Sequence, residues 1–177
     1  VNKIAKMTGS MLLALSMLQL PAVSSAFAAD YLTPGQTLSH DGMITSADGR
    51  FAFDMQWDGN LVLYNQGTSL WGSGTRGDHV DIYDPFIGIT YHRYAEVLRL
   101  DTIGRLRVTD TADQFTFWQA DTNSWMNSHY QPPMIKPTGL VGDRLVVQSD
   151  GNCVLYDTTG NSGGSWLPVW ATNTGGR

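Results

Sequence analysis

The chain has 177 residues, of which 42% are hydrophobic and 15% charged, and it carries a net charge of -5. That acidity argues against nucleic acid as a partner, because phosphate binding needs a basic footprint. A single cysteine, Cys153, leaves no internal disulfide to form, so stability must come from packing, and Cys153 itself reads as a buried small apolar residue.

Residues 1–28 read as a secretory signal peptide. Lys3 and Lys6 precede the apolar run 11–20, and Ala26-Phe27-Ala28 offers small residues for cleavage. A bilayer takes about 20 apolar residues, so no membrane insertion is expected. The mature chain, 29–177, is expected to be secreted, extracellular or periplasmic, more acidic than the whole, and folded as one domain.

Along the mature chain, short runs of alternating β-branched and aromatic residues are separated by Gly, Asp and Asn, with no helical period over a dozen residues. The chain reads as all-β. One nine-residue string occurs twice, Gln56-Trp-Asp-Gly-Asn-Leu-Val-Leu-Tyr64 and Gln148-Ser-Asp-Gly-Asn-Cys-Val-Leu-Tyr156, followed by Trp71 and Trp170. Between them lies a weaker copy, Arg99-Leu-Asp-Thr-Ile-Gly-Arg-Leu-Arg-Val-Thr109, followed by Trp118. Three such units predict three small sheets around a shared axis, with the three Trp side chains meeting in the middle, since one hairpin cannot bury its apolar side alone. The extra length at 78–95 and 122–142, with Pro85, Pro132, Pro133 and Pro137, reads as two long loops. Trp125, Met126, Tyr130 and Met134 make the second either a partner surface or a lid over a sheet edge.

Asp-Gly between apolar alternations is a hairpin signal, so Gln and Tyr of each string should return to adjacent strands. A three-residue loop, Asp58-Gly59-Asn60, would set Gln56 opposite Val62 and Asp54 opposite Tyr64, turning Met55, Trp57, Leu61 and Leu63 inward. The outer face then joins an acceptor, Asp58, two amides, Asn60 and Gln56, and the Tyr64 hydroxyl around the apolar Val62. That mixture suits adjacent hydroxyls on a pyranose, with charge-assisted bonds to Asp58 the strongest individual contacts.

Gln-x-Asp-x-Asn-x-Val-x-Tyr resembles the signature of the monocot mannose-binding, or bulb-type, lectin family, and both strings match every signature position. Leu32-Thr-Pro-Gly-Gln-Thr-Leu38 and Trp170-Ala-Thr-Asn-Thr-Gly-Gly176 are similar to that family too. The resemblance implies a β-prism of three four-stranded antiparallel sheets with pseudo-threefold symmetry, and recognition of α-D-mannose or mannosylated glycans without metal or cofactor. In the family's pattern Asp and Asn hold the 2-hydroxyl, Gln the 3-hydroxyl and Tyr the 4-hydroxyl, while Val contacts the ring. Those roles fall on Asp58, Asn60, Gln56, Tyr64 and Val62, and on Asp150, Asn152, Gln148, Tyr156 and Val154. Family members often form a homodimer by exchanging a C-terminal strand, an exchange open to residues 170–177, and paired weak sites raise binding to clustered glycans.

The chain departs from the family in its middle copy, where Arg99, Arg105, Arg107 and Thr109 are read at the Gln, Asn, Val and Tyr positions, with two additional residues in the turn and only Asp101 remaining. That copy is expected not to bind mannose, its arginines pairing with Asp101 or facing solvent. Gly59 stands where plant members place a cysteine, and the short secretory peptide has a bacterial look.

An enzyme is not expected. Gly160-Asn-Ser-Gly-Gly164 fits Gly-x-Ser-x-Gly but lacks the strand and helix of a nucleophile elbow, and the candidate glycosidase pair, Asp54 with Asp58, does not recur in the third copy. His40, His79, His92 and His129 are scattered without ligand spacing, so no metal site is expected. Two other readings keep the fold: a lectin-like antibacterial toxin, or a protein-interaction module acting through the loops.

Overall fold

The computed structural model describes residues 30–159 and 164–177. The expected signal peptide, 1–28, and the Gly160-Asn-Ser-Gly-Gly164 string apart from Gly164 lie outside the described residues. In chain order the elements are β1 (Tyr31–Leu32), β2 (Thr37–Leu38), β3 (Gly42–Thr45), β4 (Phe51–Met55), β5 (Leu61–Asn65), β6 (Thr68–Gly72), β7 (His79–Asp84), β8 (Ile89–Tyr94), β9 (Val97–Leu100), β10 (Leu106–Thr109), β11 (Thr116–Gln119), α1 (Thr122–His129), β12 (Arg144–Val147), β13 (Cys153–Asp157) and β14 (Leu167–Ala171).

Twelve of these strands form three four-stranded antiparallel sheets, ordered β3-β4-β5-β6, β11-β10-β9-β2 and β1-β12-β13-β14. The N-terminal segment lends an edge strand to both the second and third sheets through β2 and β1, which ties the three together. Alternation explains which residues go inside. Phe51, Phe53 and Met55 of β4 are buried while Ala52 and Asp54 between them are partly exposed, as a pleated strand with one buried face requires.

The three sheets meet at a triad of indoles. Trp71, Trp118 and Trp170 touch pairwise, edge to face, with ring centroids 5.4, 5.7 and 5.6 Å apart. Each sheet supplies one ring, as the repeat predicts. Cys153 is fully buried in the surrounding core, and burial pushes its thiol well above the ordinary range, which leaves it an inert apolar residue.

The reading of both stretches as long loops is corrected in part: 79–94 pair as strands and 122–129 are helical, while 130–142 remain without a regular element. Residues 79–94 form a two-stranded ribbon, β7 with β8, in which Pro85 sits in the turn rather than the ladder. Asp84 starts that turn by accepting from the Phe86 N–H, and Gly88, with φ of 69°, closes it on the Asp84 carbonyl. Asp121 caps α1 by accepting from the Ser124 N–H at 2.9 Å. The helix buries Met126 and lays Trp125 and Tyr130 on the core, while Met134 stays exposed. Tyr130 donates to the Pro168 carbonyl on β14, so this segment is a lid over a sheet edge.

Candidate functional site: paired hairpin tips

The first and third repeats present the same tip. Gly59 N–H donates to the Gln56 carbonyl and Gln56 N–H to the Asn60 carbonyl, both at 3.0 Å; the third repeat does likewise through Gly151, Gln148 and Asn152. Gly59 and Gly151 have φ of 83° and 91°, the left-handed position that ends a type I turn in a three-residue hairpin. The loop is therefore Trp57-Asp58-Gly59, one residue earlier than expected, because glycine must be its last member. Asp54 consequently faces Val62 and Ala52 faces Tyr64. The inward set is Met55, Leu61 and Leu63, as expected, but Trp57 lies in the loop and is 70% exposed, against His40 at 4.5 Å between ring centroids.

The register brings all five signature side chains of each repeat to one face. Gln56 Nε2 donates to the Tyr64 hydroxyl at 2.8 Å, and Gln148 Nε2 to the Tyr156 hydroxyl at the same distance. Asp58 Oδ1 accepts from the Asn60 N–H at 3.0 Å, and Asp150 Oδ1 from the Asn152 N–H at 2.9 Å. Val62 and Val154 form the floor, each 3% exposed. Burial, opposed by the bond from Gln148 and aided by the charge of Asp150, holds the Tyr156 phenol above its ordinary range, so it remains a neutral donor.

Sequence reasoning missed a second layer that fixes the asparagines. Ser73 Oγ and Gly74 N–H both donate to Asn60 Oδ1, at 3.2 and 3.0 Å, and Thr75 Oγ1 donates to the Gly59 carbonyl at 2.6 Å. The third repeat duplicates this with Thr172 Oγ1 and Thr174 N–H on Asn152 Oδ1, at 3.0 and 3.2 Å, and Thr174 Oγ1 on the Gly151 carbonyl. With its oxygen occupied, each asparagine has its N–H donors as the side-chain groups left to offer. The signal was a hydroxyl two and four residues after each indole: Trp71-x-Ser-x-Thr75 and Trp170-x-Thr-x-Thr174. Trp125 of α1 donates to Asn173 Oδ1 and so braces the third tip from behind.

The tips differ at their rims. Arg76 pairs with Asp58 at 3.1 Å, whereas the equivalent of Arg76 in the third tip is Gly175. The first tip also opens beside a cleft of about 260 Å³ lined by His40, Trp57, Asp58 and Tyr94 among others. Asp54, opposite Val62, has a carboxyl whose pKa is raised by desolvation and by Asp41 and Asp58, and an Oδ1 with no hydrogen-bond partner.

The middle repeat turns on the same loop, with Gly104 at φ of 83° and Asp101 N–H donating to the Arg105 carbonyl. There are no additional residues in this turn, which corrects the expected alignment. Asp101 occupies the Gln position, Ile103 the Asp position, and Arg105, Arg107 and Thr109 the Asn, Val and Tyr positions. Arg99 lies opposite Arg107, where the first repeat has Asp54. A bulge between Val108 and Thr109 matches those between Leu63 and Tyr64 and between Leu155 and Tyr156, which fixes this alignment. Arg105 and Arg107 approach Asp101 at 2.7 and 3.6 Å, and Arg107 reaches Asp113 at 2.9 Å. Desolvation raises the Asp101 carboxyl, but hydrogen bonds from the Arg105 backbone and side chain outweigh it and leave it below its ordinary value. Ala120 replaces the hydroxyl of Ser73 and Thr172, so the second layer is missing too.

The histidines are less scattered in space than along the chain. The ribbon places His79 and His92 beside Asp81, with ligand atoms within 4.8 Å of one another. Distance along the chain hid what the β7–β8 register brings together.

A mannose-specific lectin of Aloe arborescens is 32% identical over 127 residues, covering 72% of this chain and 83% of that protein. The chain belongs to the monocot mannose-binding, or bulb-type, lectin family. The mannose-specific lectin TAR1 of Colocasia esculenta is also 32% identical, across 98% of this chain and 83% of its own length. Among solved structures, a monomeric monocot mannose-binding lectin from Gastrodia elata superposes with a TM-score of 0.55 at 26% identity, covering 83% of this chain and 99% of that one. No family model matches the sequence. Members of this lectin family bind carbohydrate and are not enzymes.

Proposed function

We propose that this lectin binds α-D-mannose or mannose-containing glycans at two sites, one on the tip of β4–β5 and one on the tip of β12–β13, by direct contacts that need no metal. The observation that carries the reading is the duplicated polar set. In both tips Gln is bonded to Tyr at 2.8 Å and Asn is held by its oxygen, while the middle tip has neither arrangement.

The chemistry follows from which atoms remain. Asp58 Oδ2, which in the first tip also carries the exposed Arg76 pair, and Gln56 Oε1 accept, the Asn60 amide donates, and the Tyr64 hydroxyl, already accepting from Gln56, donates its proton. Two acceptors alternating with two donors match consecutive ring hydroxyls, each of which both gives and takes a bond. The edge of Val62 meets ring carbons. Asp150, Gln148, Asn152, Tyr156 and Val154 repeat the set. The names of the Aloe and Colocasia relatives, both mannose-specific lectins, support mannose as the hexose. The composition of residues 1–28 supports export to an extracellular or periplasmic space.

A glycan array tests this reading. The chain is expected to retain mannose-terminated glycans, and Asp58→Ala with Asp150→Ala in one chain to lose them. Retention by that double variant, or a profile without mannose, overturns it.

A further inference from the structure

We propose that the β7–β8 ribbon carries a binding site for one divalent transition metal, Zn²⁺ or a metal of similar preference, held by His79, Asp81 and His92. The ladder sets Asp81 opposite His92 and His79 opposite Tyr94. Residues two apart share a face of a strand, so both imidazoles and the carboxylate project to one side. His92 Nδ1 lies 2.7 Å and His79 Nε2 3.5 Å from Asp81 Oδ1. Ligands bound at about 2.0–2.1 Å in a tetrahedron stand roughly 3.3 Å apart. Small side-chain rotations on a fixed ladder therefore convert the trio into three metal ligands, with the solvent side open for water as the fourth.

The outer contacts favour the same outcome. His79 Nδ1 lies 3.0 Å from the Gly77 carbonyl. Donation there leaves the Nε2 lone pair facing Asp81, the arrangement by which a backbone carbonyl orients a metal-binding imidazole. The Tyr94 ring stands 5.2 Å from His79 and 6.0 Å from His92 and walls one side. Two nitrogens with one carboxylate suit Zn²⁺, Cu²⁺ or Ni²⁺, and not Ca²⁺ or Mg²⁺, which prefer all-oxygen sites. The metal would act as a clamp, because a two-stranded ribbon is marginal without another element to pack on. Its residues are separate from both signature sets, so the inference stands whether or not the tips bind mannose.

The test uses untagged mature chain. Titration calorimetry with Zn²⁺ is expected to give one ion per chain in the micromolar range, and Co²⁺ to develop tetrahedral visible bands. His79→Ala and His92→Ala should each weaken Zn²⁺ at least tenfold and erase the Co²⁺ bands, while His40→Ala with His129→Ala leaves both unchanged. Zn²⁺ should also slow proteolytic cleavage within 84–88. The inference is overturned by no uptake at 100 µM Zn²⁺, or by uptake that survives loss of both ribbon histidines. His79, His92 and His129 are exposed and His40 half-buried, and unaltered circular dichroism shows that the fold has been kept.

Discussion

Removing the Ser73 hydroxyl should weaken sugar binding without touching the sugar. In Ser73→Ala the Leu61 N–H loses its acceptor at 3.0 Å, and Asn60 Oδ1 loses one of its two donors. A lost hydrogen bond costs about 1 kcal/mol and an orphaned buried N–H about 1–3 kcal/mol, so stability should fall by about 2–4 kcal/mol. Asn60 keeps the Gly74 N–H and remains in place, but its amide is less well oriented. Loss of about 1 kcal/mol of that orientation weakens binding about fivefold. The assay is titration with methyl-α-mannoside in an Asp150→Ala background, so that only the first tip reports, alongside urea unfolding. Ser73→Thr should restore affinity, since Thr172 performs this task in the third repeat. If Ser73→Ala lowers stability while its Kd stays within twofold, the second layer supports the fold and does not position the amide.

Asp150→Ala or Asn152→Ala should each leave one site per chain in the same titration, whereas Arg105→Ala leaves both. Arg76→Ala, by freeing Asp58 from an exposed ion pair, should tighten the first tip by up to about 1 kcal/mol, with no change at the third. Asp54→Asn should raise stability at neutral pH by about 1 kcal/mol. The raised carboxyl binds its proton more tightly in the folded chain, so stability falls as pH rises from the ordinary aspartate range through its folded value. The gain from Asp54→Asn should vanish below that window in a pH series of melting temperatures. Trp118→Ala should cost about 3–5 kcal/mol by opening the triad, read by urea unfolding.

Much of this was legible because the repeat writes one local solution several times. The alternation in Phe51-Ala-Phe-Asp-Met55, the Asp-Gly turns and the recurring indoles encode sheets, tips and axis directly. Register was harder. Whether Asp58 opens or merely enters the loop depends on which residue must be left-handed, and Gly59 settles that only when the type I turn is considered with it. The same principle realigns the middle repeat, where anchoring on Gly104 rather than on Asp101 places Ile103 at the Asp position. The ribbon and the helix escaped notice because each takes its order from one short signal, Asp84 with Gly88 or the Asp121 cap, inside stretches whose prolines suggested loops. Ser73, Thr75, Thr172 and Thr174 were invisible because hydroxyls that hold another side chain look like ordinary strand-end residues until the fold sets them behind it.

Calorimetric titration of residues 29–177 with methyl-α-mannoside tests the central claim most directly. Two equivalents per chain are predicted, each binding weakly, with a Kd on the order of 1 mM or about 4 kcal/mol, and the count unchanged by a chelator. No binding, a third equivalent at the arginine-filled tip, or loss of binding with the chelator would contradict it.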